Sequence, residues 1–196
     1  MTYLQTTIPS VEECFRLMDS HRMLPNIRDH SIVVARIAAF LTQSLSRVGV
    51  HLSIDTVIAG ALLHDIGKTA CLKTPENHAA KGQEICLAEN FDGIGDIVAE
   101  HVILKNYSPD MELSEKVIVY YADKRVNHDQ VVSLDERLAY IIRQYGNGDV
   151  RLQKLIRKNF NRCVVIENKI FSPLDFKPAD ITKLIRDIEI KPTATA

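Results

Sequence analysis

An apolar run in the first third of the chain ends directly in an adjacent histidine and aspartate. Residues 57–63 read Val-Ile-Ala-Gly-Ala-Leu-Leu, and His64, Asp65, Ile66 and Gly67 follow at once. A run this apolar will not face water, so we expect His64 and Asp65 where a buried helix ends. Burying an ionised carboxylate beside an imidazole is costly unless both are paired or bind a metal ion. The run therefore predicts a functional site inside the protein.

Helical spacing of apolar residues dominates the chain on both sides of this run. Ser10 with Glu13, and Ser133 with Glu136, form capping boxes, which are typical of helix starts. The predicted helix starts are Ser10, Ile27, Ser53, the pair Thr74-Pro75, Ser114 and Ser133. We predict a loop at Asp92–Gly95 and a short strand around Cys163–Ile166. The pattern as a whole predicts an all-α fold.

Length and composition indicate a globular protein of ordinary charge. The chain has 196 residues, 46% of them hydrophobic, and a formal net charge of -1. We expect a single domain over 1–196, with a core at about 10–145 and an extension at 146–196 packed on it. Residues 1–9 are expected to form a loose lead-in, and the tail from 192 to be frayed.

Charge, hydropathy and cysteine spacing exclude several classes of protein. The balanced charge gives no reason to expect nucleic acid or an anionic membrane as a partner. No apolar stretch reaches the length of a membrane span, and no signal peptide is evident, so a cytoplasmic location is expected. The four cysteines lack CxxC spacing and fit reduced core thiols.

Imidazole and carboxylate side chains recur on the inward faces of the predicted helices. Each histidine alone would more often be an ordinary hydrogen-bonded residue, but a buried His64–Asp65 pair favours a cation. His21, His51 and His128 lie in polar surroundings and are set aside. The candidate metal ligands are His30, His64, Asp65, His78, His101 and Asp123. Such ligands suit manganese, iron, cobalt, nickel or zinc.

The order of these residues resembles the HD superfamily of metal-dependent phosphohydrolases. His30 comes first, His64-Asp65 lies within LLHDIGK, and Asp123 lies within YYADKRV. The resemblance spans about 26–145. It implies an all-α helical bundle with a metal site at its centre, and it implies that these four residues bind the first metal ion. The C-terminal helical extension that we expect at 146–196 lies beyond the resemblance.

Two further histidines resemble the members that bind a second metal ion. His78 in NHAAKGQEI and His101 in VAEH match those members, in which the aspartate equivalent to Asp65 bridges two divalent transition-metal ions and acts in catalysis. They include bacterial diadenosine-tetraphosphate hydrolases and cyclic-di-nucleotide phosphodiesterases. The GYP motif of the phosphodiesterases is absent, and Val102 stands where they have a second histidine, which counts against hydrolysis of cyclic di-nucleotides.

Three cations lie close to these ligands in the sequence. Lys68 is one turn beyond His64, and we expect it to contact a substrate phosphate and to act in catalysis. Lys124 and Arg125 follow Asp123 directly, and either could bind an anionic substrate, arginine in a bidentate manner. We therefore expect a small phosphorylated substrate, with a nucleotide as the first candidate.

Two alternatives to hydrolysis stay open. Some HD-fold proteins use a similar ligand set with two irons as oxygenases that act on organophosphonates or polyols, and others serve as nucleotide-binding signalling modules. A basic stretch could be a solvated face or a docking surface for a polyanion or partner subunit; it comprises Arg151, Lys154, Arg157, Lys158 and Arg162. A homodimer is compatible with the composition.

Overall fold

The computed structural model describes residues 7–192, and the predicted all-α fold is confirmed there. The helices are α1 Val11–Ser20, α2 Pro25–Arg47, α3 Ile54–Leu63, α4 Lys68–Cys71, α5 His78–Ala88, α6 Asp92–Glu100, α7 Glu115–Asp123, α8 Leu134–Tyr145, α9 Val150–Phe171 and α10 Ile181–Leu184. A small antiparallel hairpin joins β1 Val126–Asn127 to β2 Gln130–Val131. Most of the expected lead-in and tail, residues 1–6 and 193–196, lies outside the described residues.

Helix α3 lies at the centre of the bundle. It packs against α1, α2, α6 and α7. The side chains of Val57, Leu62 and Leu63 are fully buried, and burying each stabilises the fold by about 1.5–3 kcal/mol. Ser53 caps the helix by accepting a hydrogen bond from the backbone N–H of Thr56. The last five residues of α3, 59–63, are all buried, so the helix ends in the protein interior.

Two predicted boundaries around α5 and α6 are wrong. Helix α5 begins at His78, since Asn77 caps it by accepting from two backbone N–H groups, and the predicted start at Thr74-Pro75 lies in the preceding turn. The predicted loop at Asp92–Gly95 is instead the first turn of α6. Its glycine content suggested a loop, but Gly95 is buried against α5, where a small residue fits.

The predicted strand at Cys163–Ile166 is also wrong. The segment lies within α9, which is continuous over 150–171. Cys163 and Ile166 are buried, whereas Val164 and Val165 are exposed. This spacing of three is helical, and the run of β-branched residues had suggested a strand because such residues favour extended structure.

Gly67 allows a close approach between two backbone segments. A Cβ atom on this residue would lie 2.5 Å from the carbonyl oxygen of His78 and 2.6 Å from the backbone nitrogen of Gly82. The turn after Asp65 therefore packs directly on α5 because Gly67 has no side chain. This contact brings the start of α5 next to the end of α3.

The C-terminal helix α9 packs on α7. The Tyr120 hydroxyl donates to Asn159 Oδ1 at 2.8 Å, and the Tyr121 hydroxyl donates to Glu167 Oε2 at 2.6 Å.

The division of the chain into a core at 10–145 and an extension at 146–196 stays a prediction. Within residues 7–192, no helix combines the length and the hydropathy that crossing a bilayer requires.

Candidate metal centre

Five helices bring the predicted ligands together. His30 lies on α2, His64 and Asp65 follow α3 directly, His78 begins α5, His101 follows α6, and Asp123 ends α7. All are buried except His78, whose side chain is 31% exposed. Residues far apart in the sequence thus meet at the centre of the bundle.

The donor atoms form two overlapping groups that share Asp65. In one group, donor atoms of His30, His64 and Asp65 lie within 4.8 Å of one another. In the other, the same holds for Asp65, His78 and His101. Asp65 Oδ2 is 3.4 Å from His64 Nε2, while Oδ1 is 3.4 Å from His78 Nε2 and 3.5 Å from His101 Nε2. One carboxylate therefore faces both groups.

Asp123 lies beside the first group, next to two of its histidines. Its Oδ1 atom lies 3.1 Å from His30 Nε2 and 3.7 Å from His64 Nε2. Burial alone would raise the pKa of Asp123, but Lys124, His30, His64 and Arg137 hold it well below its usual range. This side chain is therefore an anion at neutral pH, as a metal ligand must be.

Backbone carbonyls fix the orientation of three imidazoles. The Nδ1 atoms of His30, His64 and His101 each lie at hydrogen-bond distance from a carbonyl oxygen, and we assign the proton to Nδ1 in each case. The acceptors are His128 at 2.8 Å, Ala61 at 2.7 Å and Val98 at 2.7 Å. The three Nε2 atoms point towards the shared centre, where a metal ion could take the place of a proton, as is usual for metal-binding histidines.

Two polar atoms at this centre have no hydrogen-bond partner. They are His64 Nε2 and Asp65 Oδ1, both fully buried. A buried polar atom without a partner costs about 1–3 kcal/mol, so such atoms call for a ligand. Imidazole nitrogen and carboxylate oxygen are donors that divalent transition metals accept. The donor set therefore fits one or two such ions.

The electrostatics of Asp65 and His64 also favour a cation. Burial would raise the pKa of Asp65, but His64, His101 and Lys68 hold it well below its usual range. Burial would lower the pKa of His64, but the carboxylates of Asp65 and Asp123 outweigh burial and raise it. A metal ion would therefore compete with a proton for His64 Nε2.

The two histidines of the second group are neutral. Burial lowers the pKa of His78 to about 4 and also lowers that of His101. A neutral imidazole keeps one nitrogen lone pair, and the two Nε2 atoms lie 3.2 Å apart, within hydrogen-bond distance of each other. Neutral imidazoles bind metal ions without first losing a proton.

Lys68 and Lys124 each contact one of the two carboxylates. Lys68 Nζ lies 2.7 Å from Asp65 Oδ2, and Lys124 Nζ lies 2.9 Å from Asp123 Oδ2. Lys124 also donates to the carbonyl oxygen of His101 and lies over the Tyr120 ring. Both side chains line the cavity that opens from the donor groups.

Arg125 does not reach this cavity. Its guanidinium donates to the carbonyl oxygens of Val132 and Pro178 and pairs with Glu167 at 3.2 Å. The side chain is 4% exposed. The expectation that Arg125 could bind substrate is thus corrected: α7 ends at Asp123, and Arg125 lies two residues beyond it in the following turn, so closeness in the sequence does not imply a shared direction.

Two residues that contact the centre escaped the sequence analysis. Arg137 on α8 lies 3.7 Å from Asp123 Oδ1 and lines the cavity. His128 was set aside as polar, and its backbone carbonyl nevertheless fixes the His30 ring. Neither carried a signal, because one is an ordinary basic residue of an amphipathic helix and the other acts through its backbone.

A family model described as HD domain matches residues 27–127, just over half of the chain. The chain belongs to the HD domain family. The matched region contains all six predicted ligands and Lys68. Membership suggests a metal-dependent phosphohydrolase, and the buried His/Asp cluster is the part of this HD domain that could hold divalent metal.

Three relatives of this HD domain protein differ in length and in the names that they carry. A tRNA (cytidine(56)-2'-O)-methyltransferase of Picrophilus torridus is 29% identical over 80% of this chain and 48% of its own length. A ribonuclease Y of Pseudothermotoga lettingae is 33% identical over 50% of this chain and 18% of its own length. An uncharacterized protein of Methanocaldococcus jannaschii is 25% identical over 68% of this chain and 86% of its own length. This chain thus spans about half of the methyltransferase and under a fifth of the ribonuclease. No solved structure matches it.

Proposed function

We propose that this protein is a metal-dependent phosphohydrolase that cleaves a phosphate ester, with a nucleotide as the first candidate substrate. One observation carries the proposal. Asp65 belongs to both donor groups, its buried Oδ1 has no hydrogen-bond partner, and two lysines stand beside the donors at the cavity wall. This combination joins donors for metal with cations for phosphate at one place.

The donor set is divided between two positions. His30, His64, Asp65 and Asp123 would hold one divalent ion, and Asp65, His78 and His101 would hold a second. When bound, such ions activate water and neutralise charge on phosphoryl oxygens. The protein supplies fixed imidazoles through their Nδ1 hydrogen bonds, and it keeps Asp65 and Asp123 ionised through neighbouring cations.

Lys68 and Lys124 are proposed to bind and orient the phosphate. Lysine has three N–H donors. Lys68 uses one of them on Asp65 and keeps two for a phosphate, whereas Lys124, which donates to Asp123 and to the His101 carbonyl oxygen, keeps one. Burial would lower the pKa of Lys68, but Asp65 and Asp123 raise it, so the side chain is a full cation at neutral pH. Charge on the transferred phosphoryl group is the feature that such cations stabilise.

Metal analysis followed by a screen of phosphate esters tests this proposal. The protein, purified without added metal, is assayed for bound ions and then for phosphate release with manganese. We expect Asp65→Asn to lower metal content and to reduce turnover by at least about 10³-fold. Asp96→Asn, an exposed carboxylate on α6, is the matched control and should leave both unchanged. Turnover that survives chelation or Asp65→Asn would refute the proposal.

The same measurements discriminate the two alternatives. Iron bound near two per chain, together with oxygen consumption, would indicate the di-iron oxygenase. Tight nucleotide binding without turnover under several metals would indicate a signalling module. A homodimer, the other open expectation, is tested by the mass in solution.

RNA phosphate esters are a second candidate, favoured by the surface of α9. Arg151, Lys154, Arg157 and Lys158 are exposed, and none has an ion-pair partner within the described chain. Helix α9 also lines the cavity, and two relatives bear the names of enzymes that act on RNA. This candidate would be supported if the affinity for RNA fell steeply with rising salt concentration and was lower still in a variant with three of these residues changed to Gln. Binding that is insensitive to these changes would remove it.

A further inference from the structure

The cavity beside the metal donors has an apolar wall. Its volume is about 580 Å³, within the range of about 300–1,000 Å³ that is typical of small-molecule sites. Facing the donors are apolar side chains from the C-cap of α4, the segment after α6, and helices α8 and α9. They are Leu72, Ile103, Ile141, Leu155, Ile156 and Phe160. The donors and this wall line one continuous space.

The cations of the cavity are gathered at the donor end. Lys68, Lys124 and Arg137 lie 2.7, 2.9 and 3.7 Å from carboxylate oxygens of Asp65 or Asp123. No other lysine or arginine among residues 7–192 lines the cavity, and the further charged group along the wall is the carboxylate of Glu76. Among the described residues that line the cavity, positive charge is therefore found at the donor end alone.

We propose that the substrate is a monophosphate ester whose remaining part is a sizeable apolar or aromatic group bound against this wall. The inference rests on the proposed function for the identity of the phosphate. A nucleobase is one group of this kind. Further phosphates of a polyphosphate that lay against Ile156 and the buried Phe160 would have no cation beside them, and desolvating them there is costly.

The mouth of the cavity leaves large apolar side chains in water. Leu155 is 64% exposed, Ile103 59% and Leu72 56%. Exposed apolar side chains that cluster around a cavity are typical of surfaces that a ligand covers. Since this cluster is continuous with the donor groups, the substrate itself is the occupant that we infer, rather than a second copy of the chain.

A series of phosphate esters that differ in apolar size tests the substrate class. Phenyl phosphate and 1-naphthyl phosphate have leaving groups of similar basicity, so a difference in their kcat/KM reports binding of the second ring. We expect 1-naphthyl phosphate to exceed phenyl phosphate by about tenfold and glycerol phosphate by more. A dinucleoside polyphosphate should be a poorer substrate than a nucleoside monophosphate.

Binding of phosphonates gives a readout that does not need turnover. Naphthylmethylphosphonate and benzylphosphonate, which resist hydrolysis, are titrated into the manganese-loaded protein by calorimetry. The naphthyl compound should bind about tenfold more tightly. If the naphthyl compound binds more tightly while no ester releases phosphate, the proposed function fails and the apolar site stands. If esters of all sizes are cleaved equally well, the proposed function stands and the apolar site fails.

A single substitution at the wall completes the test. Leu155→Ser should raise KM for 1-naphthyl phosphate about fivefold with little change in kcat, because apolar contact is lost without disturbing the donors. Leu155 is exposed, so the variant should fold. Val164→Ser, exposed on the same helix but outside the cavity, is the matched control. Unchanged KM and phosphonate affinity in Leu155→Ser would overturn the inference. So would the finding that the protein is a homodimer in solution and that the main effect of Leu155→Ser is to dissociate it.

Discussion

Replacing Gly67 with alanine tests the contact between the turn after Asp65 and helix α5. The added Cβ would lie 2.5 Å from the His78 carbonyl oxygen and 2.6 Å from the Gly82 nitrogen. Both are backbone atoms, so no flexible side chain can move aside. Restoring the shorter contact from 2.5 Å to 3.4 Å, the lower end of ordinary contact, needs a movement of 0.9 Å. The start of α5, which carries His78, has to move.

The expected cost follows from two opposing contributions. Overpacking of this kind destabilises a protein by about 1–3 kcal/mol. Alanine also restricts the unfolded chain, which returns about 0.4–1 kcal/mol; the φ of Gly67 is -78°, so alanine tolerates the backbone conformation. We expect a net loss of about 1–2 kcal/mol in the free energy of unfolding. A shift of His78 by about 1 Å should also lower turnover by roughly 10²-fold.

Urea unfolding of the metal-free protein measures the first effect. Gly95→Ala is the matched control, because a Cβ there would meet its nearest atoms at 3.5 and 3.6 Å, an ordinary contact. Gly95 lies within α6, so alanine should stabilise the protein by about 0.5–1 kcal/mol. If Gly67→Ala proved as stable as Gly95→Ala, the close approach would not hold α5 in place, and the reasoning would be refuted.

Three further predictions concern residues away from the donors. Arg125→Met should cost about 3 kcal/mol, since it leaves the Glu167 carboxylate without its cationic partner. It should not alter KM of the folded protein; a raised KM at unchanged stability in urea would contradict the structural role of Arg125. At pH 8 a thiol reagent should modify Cys71 first and the other cysteines only after unfolding. Burial raises the pKa of Cys14 and Cys86 to about 12 and raises the pKa of Cys163 further, so these three thiols are not ionised in the folded protein. Rapid modification of more than one thiol would contradict this. Hydrogen bonds from Ser10 lower the pKa of Glu13 below its ordinary 4.5, so the contribution of Glu13 to stability is present above pH 4.5 and is lost as the pH falls through the lowered pKa. Glu13→Gln should therefore weaken the fall of the urea midpoint at acid pH. An unchanged fall would count against the capping box.

Local signals in the sequence predicted most of the helical scaffold. The capping boxes at Ser10 and Ser133 hold in the structure, with both reciprocal hydrogen bonds formed. Such motifs involve residues three positions apart, so the fold need not be known. The errors arose where local propensity competes with packing. Gly95 suggested a loop but fits against α5, and the β-branched pair Val164–Val165 suggested a strand but lies on a helix.

Residue roles that depend on long-range packing were beyond the sequence. The cavity wall requires α9 to pack across the donor groups, which follows from contacts such as Tyr120 with Asn159. Lys124 and Arg125 are neighbours in the chain, yet Lys124 lines the cavity and Arg125 pairs with Glu167. Their spacing in the sequence indicates only that they differ in direction. Which of them faces the donors is decided by the partners that the fold supplies.

The placement of donors at helix ends explains why the site is legible in the sequence. His64 and His101 directly follow α3 and α6, and Asp123 is the last residue of α7. Each helix C-terminus carries about -0.5 elementary charge, so three such ends add to the negative charge of the two buried carboxylates, Asp65 and Asp123. A cation is favoured there for reasons of backbone as well as side chain. An apolar helix that ends at a buried cluster of polar donors leaves an apolar run followed by polar residues, as Val57 to Asp65 does.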